Sequence, residues 1–387
     1  MSGSRRKPIY LDGHATTPID PQVVDAMLPY LTERFGNPAS QGHLYGWETA
    51  AAVKQARQVL AQAIATDPDD LLFTSGATEA NNLAIKGVAE AYFQRGKHLI
   101  TVQTEHRAVL EPCRYLEKLG FDVTYLPVQP DGILDVQHLQ QALRPDTILV
   151  SVMAANSEIG VLQPLADIGA ICREHRVLFH TDAAQAIAKI PLDVESMHID
   201  LMSLTAHKVY GPKGIGALYV RRRNPKVNLA PQLHGGGQER GLRSGTLATH
   251  QIVGFAKAIE LGLAEQPQES ARLRSLRDRL YAHLQTLDGI LLNGHPDRRL
   301  PGSLNVSIAG VDGAALLLGL RSKVALSSGS ACASGQTDPS HVLLALGRDR
   351  RLASASLRFG IGRFNTMTEM DEVAEQAIAV IESLRQR

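Results

Sequence analysis

The chain has 387 residues, 44% of them hydrophobic and 20% charged, a balance ordinary for a globular protein that buries a large core without staples. The 40 Lys and Arg residues against 39 Asp and Glu leave a formal charge of +1, which excludes a general electrostatic attraction to nucleic acid or an anionic membrane. No apolar run approaches the ~18 residues of a spanning helix, since the longest, about 314 to 320, is broken by Gly319 and followed by Arg321.

The start, Met1 to Lys7, is basic but leads into no apolar region, so a secretory signal is not expected. Three cysteines, Cys113, Cys172 and Cys332, do not make a disulfide framework, and a reducing, cytoplasmic compartment is expected. Leu71 to Thr74 reads as a strand and is followed by a helix through Asn81, Leu83, Ile85 and Val88. His98 to Val102 reads as a strand, then a helix from about Arg107 to Lys118. Further strands are expected at Phe121 to Leu126, Thr147 to Val152, Val177 to His180 and Ile199 to Leu204, with helical patterns at Leu139 to Leu143 and Leu165 to His175 between them. Arg221-Arg222-Arg223, after a strand at Ile215 to Val220, is expected to be a solvated surface run. From Thr249 a helical pattern runs to Leu287, eased by Gln266-Pro267. Beyond it come strand-like Ser303 to Ile308, helical Ala314 to Leu320, strand-like Leu357 to Phe359 and a closing helix at Met370 to Leu384.

Strand–helix alternation implies crossover connections and a largely parallel sheet, in an α/β architecture with a smaller α+β part after about residue 260. Ligands on such sheets sit where strands end and helices begin, so chemistry-bearing residues just after strands are the candidates.

Lys208 closes Ser203-Leu204-Thr205-Ala206-His207-Lys208, after a strand and before a glycine-rich turn. Such a lysine is ordinarily a surface residue; its neighbours point further. Asp182 follows the strand ending at His180, and a carboxylate there either caps a helix or pairs with a protonated pyridine ring, with Gln185 three residues on. Thr74-Ser75-Gly76-Ala77-Thr78-Glu79 joins a strand to a helix, which suits either capping or an anion site built from free N–H groups. His106, in Thr104-Glu105-His106, is a loop histidine that is either structural or placed over the same sheet edge to stack on a flat ring and shuttle protons. The glycine-rich segment from His234 to Thr246, with Arg240 and Arg243, reads as a phosphate or carboxylate environment or as a surface loop.

With these motifs in place, the chain resembles the cysteine desulfurases of the NifS/IscS type, fold-type I pyridoxal-phosphate enzymes. The resemblance runs from Tyr10-Leu11-Asp12 to about Arg363. It is carried by Ala15-Thr16-Thr17-Pro18, Phe35-Gly36-Asn37-Pro38-Ala39-Ser40, Thr74 to Glu79, Thr104 to His106, Asp182-Ala183-Ala184-Gln185, His207-Lys208, Gly235 to Thr246 and Ser327-Ser328-Gly329-Ser330-Ala331-Cys332. It implies a mainly parallel seven-stranded sheet in a large domain, 15–260, and a small α+β domain, 1–14 with 261–387, carrying the catalytic cysteine loop at about 325–337.

By that resemblance Lys208 is the Schiff-base lysine, Asp182 pairs with the pyridinium, His106 stacks on the ring and Gln185 approaches its phenolic oxygen. Ala77, Thr78, Thr205 and His207 take the phosphate, and Thr246 reaches the phosphate of a neighbouring subunit, which implies a homodimer. Arg358 takes the substrate carboxylate, a task suited to a planar guanidinium, with Asn37 and Asn156 as further substrate contacts. Two departures stand out. Asn156-Ser157-Glu158-Ile159-Gly160 has Ser157 where the family has a second, cofactor-contacting asparagine, and serine reaches less far. The chain ends at Arg387, short of the tail with which housekeeping members hold a scaffold protein, so docking by that route is not expected.

The cofactor explains an amino-acid substrate, and Cys332 decides the reaction. Cys113 and Cys172 fall in patterned helical segments and are expected to pack, whereas Cys332 lies among small polar residues, where a thiol is accessible as a nucleophile must be. The expected activity is conversion of L-cysteine to L-alanine with a persulfide on Cys332, Lys208 moving the α-proton and His106 assisting. The sulfur then passes to an acceptor protein such as an iron–sulfur scaffold. The alternatives are a fold-type I aminotransferase or selenocysteine lyase, and a non-enzymatic sulfur carrier.

Overall fold

The computed structural model describes residues 7–328 and 339–386. Twelve strands lie among the described residues. After β1 (Ile9–Tyr10) come β2 (Leu71–Thr74), β3 (His98–Val102), β4 (Asp122–Leu126), β5 (Thr147–Ser151), β6 (Leu178–Asp182), β7 (Leu201–Thr205) and β8 (Gly216–Val220). These seven form one sheet in the order β2-β8-β7-β6-β5-β3-β4. Each follows a sequence-predicted strand to within two residues. The strands β3, β5, β6, β7 and β8 are buried at every residue, because helices cover both faces, which is why they read as near-continuous apolar runs. Alternate residues feed opposite cores: Leu71 and Phe73 pack on one face of the sheet, Leu72 on the other.

All pairings in this sheet are parallel except those of β8, which runs antiparallel to both β2 and β7. Its connector from β7, residues 206–215, is shorter than the dozen or so residues a parallel crossover takes. Since β8 opposes both its neighbours, β2 and β7 point the same way. The carboxyl ends of β2, β3, β5, β6 and β7 therefore share one edge.

A second sheet joins β9 (Ile290–Leu292), β10 (Ser303–Ile308) and β12 (Ser356–Gly360) in the antiparallel order β12-β10-β9, and β1 pairs in parallel with β11 (Val324–Ala325). This part has its own apolar cluster, which includes Ile9, Leu11, Leu304, Phe359 and Val373. The helix Thr249–Leu284 is continuous through Pro267. Its first half packs Ile252, Phe255 and Ile259 on the large sheet's core, and its second half packs Leu276, Leu280 and Leu284 on the small one. A division near residue 260 falls inside this helix, between its two buried faces.

Two sequence expectations change, and one long helix lies where the sequence carries no clear pattern. The helix Leu44–Gln62 was not anticipated, because Leu44, Tyr45 and Trp47 are exposed and blur its apolar stripe. Arg221 is not a solvated residue: it is buried, paired with Glu195 at 2.8 Å and Asp200 at 3.1 Å, and donates to the carbonyls of Val194 and Ile199. Part of the cysteine loop expected at 325–337 is regular structure, since Ala325 closes β11 and Ser327 bridges to Arg358. Cys113 and Cys172 are buried, as expected, and burial pushes both thiols up, Cys113 to about 12. No helix among the described residues is long and apolar enough to cross a membrane.

Candidate active site

The shared strand edge opens into a cavity of ≈ 450 Å³. On one side β2 turns through Ser75 and Gly76 into the helix Ala77–Ala91. No side chain caps this helix, so its first amides are open to an anion. Gly216 allows the turn: a Cβ there would lie 2.6 Å from Gly76 Cα. Glu79 accepts from Ser75 N at 2.8 Å and from Arg243 at 2.8 Å. Burial raises this carboxyl, but the bonds from Arg243 and Ser75 outweigh it and hold Glu79 below its usual range.

Asp182 ends β6, and both its oxygens are held: Oδ1 accepts from Ala184 N at 2.9 Å and Oδ2 from the Asn81 amide at 2.7 Å. Nearby Glu105 is fully buried, accepts from Met153 N at 2.6 Å, and is pushed well above the usual range by burial and by the Asp182 charge. His106 caps the helix Arg107–Lys118: its Nδ1 accepts from Ala108 N at 3.1 Å, which leaves the ring proton on Nε2.

On the other side Lys208 Nζ donates to the carbonyl of His14. Gln185 Nε2 donates to the same carbonyl at 2.8 Å, and Lys189 Nζ donates to Gln185 Oε1 at 3.1 Å. His207 Nδ1 lies 3.1 Å from Thr16 Oγ1, and burial, followed by Lys208, pushes this imidazole down to about 4, so it stays neutral.

The fold thus brings Lys208, His106, Asp182, Gln185, Ala77, Thr78, Thr205, His207 and Ser157 to one cavity. Other candidates lie outside its lining. Asn37 is exposed and spends Oδ1 on Ala39 N at 3.0 Å. Asn156 is buried and fully used, donating to Thr104 O at 2.9 Å and accepting from Glu158 N and Ile159 N. Its expected substrate contact is therefore corrected to shaping the turn that presents Ser157. Thr246 is exposed and away from its own chain's cavity. The arginines expected near a phosphate are engaged elsewhere, Arg243 with Glu79 and Arg240 with the Asp69 carbonyl.

Arg358 is buried behind Ser157, donating to its carbonyl at 3.3 Å and to Asp12 Oδ1 at 2.7 Å. Its Nε has no partner among the described residues. Cys332 lies outside the described residues. The residues flanking that segment are anchored at the site: Ser327 bonds Asp12 at 2.9 Å and bridges Arg358, while His341 Nε2 bonds the Glu105 carbonyl at 3.0 Å.

Sequence reasoning gave no role to Asn81, Glu105, Asp12, His14 or Lys189. Asn81 carried a usable signal, an amide at a core-facing position of an otherwise apolar helical pattern. Glu105, Asp12 and His14 act through pairings between residues far apart in sequence and left no local mark, while Lys189 bonds Gln185 four residues before it.

Residues 9–373 match the aminotransferase class-V family. The chain is 55% identical to the mitochondrial cysteine desulfurase of Arabidopsis thaliana over 381 residues, covering 98% of this chain and 84% of that one. A solved NifS-like protein superposes with a TM-score of 0.90 at 37% identity, covering 97% of this chain and 100% of that chain. A solved SspA in complex with cysteine superposes with a TM-score of 0.83 at 38% identity, covering 93% and 100%.

Proposed function

The chain belongs to the aminotransferase class-V family, and from that membership we propose that it is a pyridoxal-phosphate-dependent cysteine desulfurase, releasing L-alanine from L-cysteine. The observation that carries the reading is the meeting of Lys208, Asp182, Gln185 and His106 around a cavity bounded by an uncapped helix N-terminus. SspA is in complex with cysteine, and the same substrate is assigned here.

The donor set fits the cofactor. Open amides at Ala77 and Thr78, with Thr205 and His207, offer a phosphate its hydrogen bonds. Asp182, fixed by Asn81 and Ala184, offers an anion to a pyridine nitrogen, and Gln185 and Ser157 offer polar contacts beside it. When bound, pyridoxal phosphate supplies an electron sink for the substrate's α-carbon.

The chain's residues supply the rest. Lys208 Nζ would hold the cofactor, and its amine would move the substrate's α-proton. His106, its Nε2 proton free of the helix cap, would hold the cofactor's ring and assist proton transfer. Arg358, behind Ser157, takes the substrate carboxylate. The Cys332 thiolate attacks the substrate sulfur; its S–S bond forms as the carbon–sulfur bond breaks, leaving a persulfide on Cys332 and alanine as product.

The assembly proposed is a homodimer. Leu28, Leu31, Phe35, Leu44, Tyr45 and Trp47 expose a concentration of apolar surface in one N-terminal stretch, and Thr246 is exposed and absent from its own chain's cavity lining, which supports a role for it in a partner's cavity. The sulfur acceptor proposed is an iron–sulfur scaffold protein, in the cytoplasm.

The test is mass spectrometry of the holoenzyme after incubation with L-cysteine, together with alanine and sulfide assays of Cys332→Ser. One added sulfur on Cys332 and loss of turnover in the variant are expected. Unimpaired turnover in Cys332→Ser overturns the reading in favour of an aminotransferase-like reaction.

A further inference from the structure

Lys208 borders two cavities, and among the described residues no other lines both. Behind the cofactor cavity lies a chamber of ≈ 50 Å³ whose wall includes His14, Lys189, Tyr210, Gln266 and Glu269. That is room for about three waters.

Two buried polar atoms belonging to this wall lack a protein partner among the described residues, His14 Nε2 and Gln266 Nε2. Their roles can be assigned. Gln185 spends its amide nitrogen on the His14 carbonyl, so its oxygen faces both Lys189 Nζ at 3.1 Å and His14 Nδ1 at 3.4 Å. The imidazole proton is therefore on Nδ1. Burial, then the Lys189 and Arg358 charges, hold this ring neutral, which leaves Nε2 a bare acceptor. Gln266 Nε2 is a bare donor. An orphaned acceptor and an orphaned donor sharing a small polar chamber are what a bound water satisfies.

Lys189 stands in the same wall. Burial, and after it the Lys208 charge, push its amine down to about 7 against the opposing pull of Glu269. Glu269 is partly exposed and held by Arg363 at 3.1 Å, and the Tyr210 hydroxyl accepts from Arg363 N. The Glu269 side of the chamber thus carries an ion pair, and the His14 side a neutral ring.

We propose that this rear chamber holds ordered water and is the port through which Lys208 exchanges its proton with solvent, with Lys189 and His14 as its positioning residues. The proposal rests on Lys208 being the amine that moves the substrate's α-proton. Lys208, having taken that proton, gives one proton to a chamber water, which passes one of its own to the Lys189 amine. Lys189 releases a proton past Glu269 to solvent. The reverse sequence returns a solvent proton to Lys208, so one proton replaces another with no net change in charge.

The test follows an isotope. The holoenzyme is given L-cysteine deuterated at Cα in ordinary water, and deuterium in the alanine product is read by mass spectrometry. Wild type is expected to retain little label, and Lys189→Met to retain at least fivefold more with unchanged cofactor absorbance and melting temperature. Lys189→Arg keeps the charge but does not release a proton near neutral pH, and is expected to behave like Lys189→Met. High retention in wild type, unchanged retention in Lys189→Met, or recovery in Lys189→Arg overturns the port. A crystal structure of the wild-type holoenzyme gives a reading independent of the variants: water bonded to His14 Nε2 and Gln266 Nε2 is expected, and a dry chamber overturns the proposal. If wild type forms no alanine, the desulfurase reading fails. The port is then read from α-proton exchange of L-alanine in heavy water by NMR, which needs no sulfur chemistry.

Discussion

Asn81 and Asp182, 101 positions apart, are joined by a 2.7 Å hydrogen bond from the Asn81 amide to Oδ2. Asn81 is fully buried on the helix that covers β6, and Asp182 ends that strand. The bond fixes the carboxylate's orientation, and burial together with the Asp182 charge holds the nearby Glu105 carboxyl well above its usual range.

Replacing Asn81 with leucine keeps the volume and removes the donor. A hydrogen bond to a charged group is worth about 1.5–3 kcal/mol, so a ten- to hundredfold weakening of cofactor binding is expected. Titration of the apoenzyme with pyridoxal phosphate, followed by absorbance, measures it. Unchanged affinity and turnover would sink the role given to this pair.

The glycine-rich segment before Thr246 is pinned from beneath. Glu239 accepts from Arg57 at 2.6 and 3.0 Å and from Phe73 N at 2.6 Å, tying the segment to β2. Arg57 also lies over the Phe73 ring. Glu239→Gln leaves a largely buried guanidinium without its counter-charge, at a cost of about 3 kcal/mol. The melting temperature is expected to fall by several degrees, with a larger fall for Glu239→Ala, which also abandons Phe73 N. Equal melting temperatures for the two variants would contradict this account.

Much of this was legible because it is local. All seven strands of the large sheet appear as short apolar runs, and Lys208, Asp182, His106 and the Ser75–Thr78 turn each follow one. The illegible part is relational. Arg221 sits in a basic triplet that resembles a solvated face, and only Glu195 and Asp200, brought close by the fold, make it a buried ion pair. Asn156 looks like a ligand residue by motif, yet its amide closes a turn around Glu158 and Ile159. The chamber behind Lys208 is walled by residues from 13 to 362, and no window of sequence holds its pattern.

Arg358 carries a prediction about specificity. Its guanidinium already engages Asp12 and the Ser157 carbonyl, so a substrate carboxylate has to compete with or join these partners. Lysine keeps the charge but not the fork. Arg358→Lys is expected to raise KM for L-cysteine about ten- to hundredfold with a smaller change in kcat, given the loss of about 1.5–3 kcal/mol of charged hydrogen bonding. A fall in kcat with KM unchanged would reassign Arg358 to a purely structural ion pair with Asp12.

Glu158 gives the protein a pH dependence of defined sign. It is buried next to Arg358 and Ser340, and burial, opposed by the Ser340 bond and the Arg358 charge, raises its carboxyl from 4.5 to about 7. In the unfolded chain it titrates near its ordinary value. Between about pH 4.5 and 7 the folded state therefore binds more protons than the unfolded one, and stability falls as pH rises through that window. The full cost, about 3 kcal/mol, is present above pH 7 and absent below pH 4.5. Glu158→Gln resembles the protonated acid at every pH. Its melting temperature is expected to match wild type near pH 4.5 and to exceed it by several degrees at pH 8. Taking the difference between the two proteins cancels the other titrating groups, so a difference that does not change with pH would show that Glu158 is already ionised in the folded protein at acid pH, held there by Arg358.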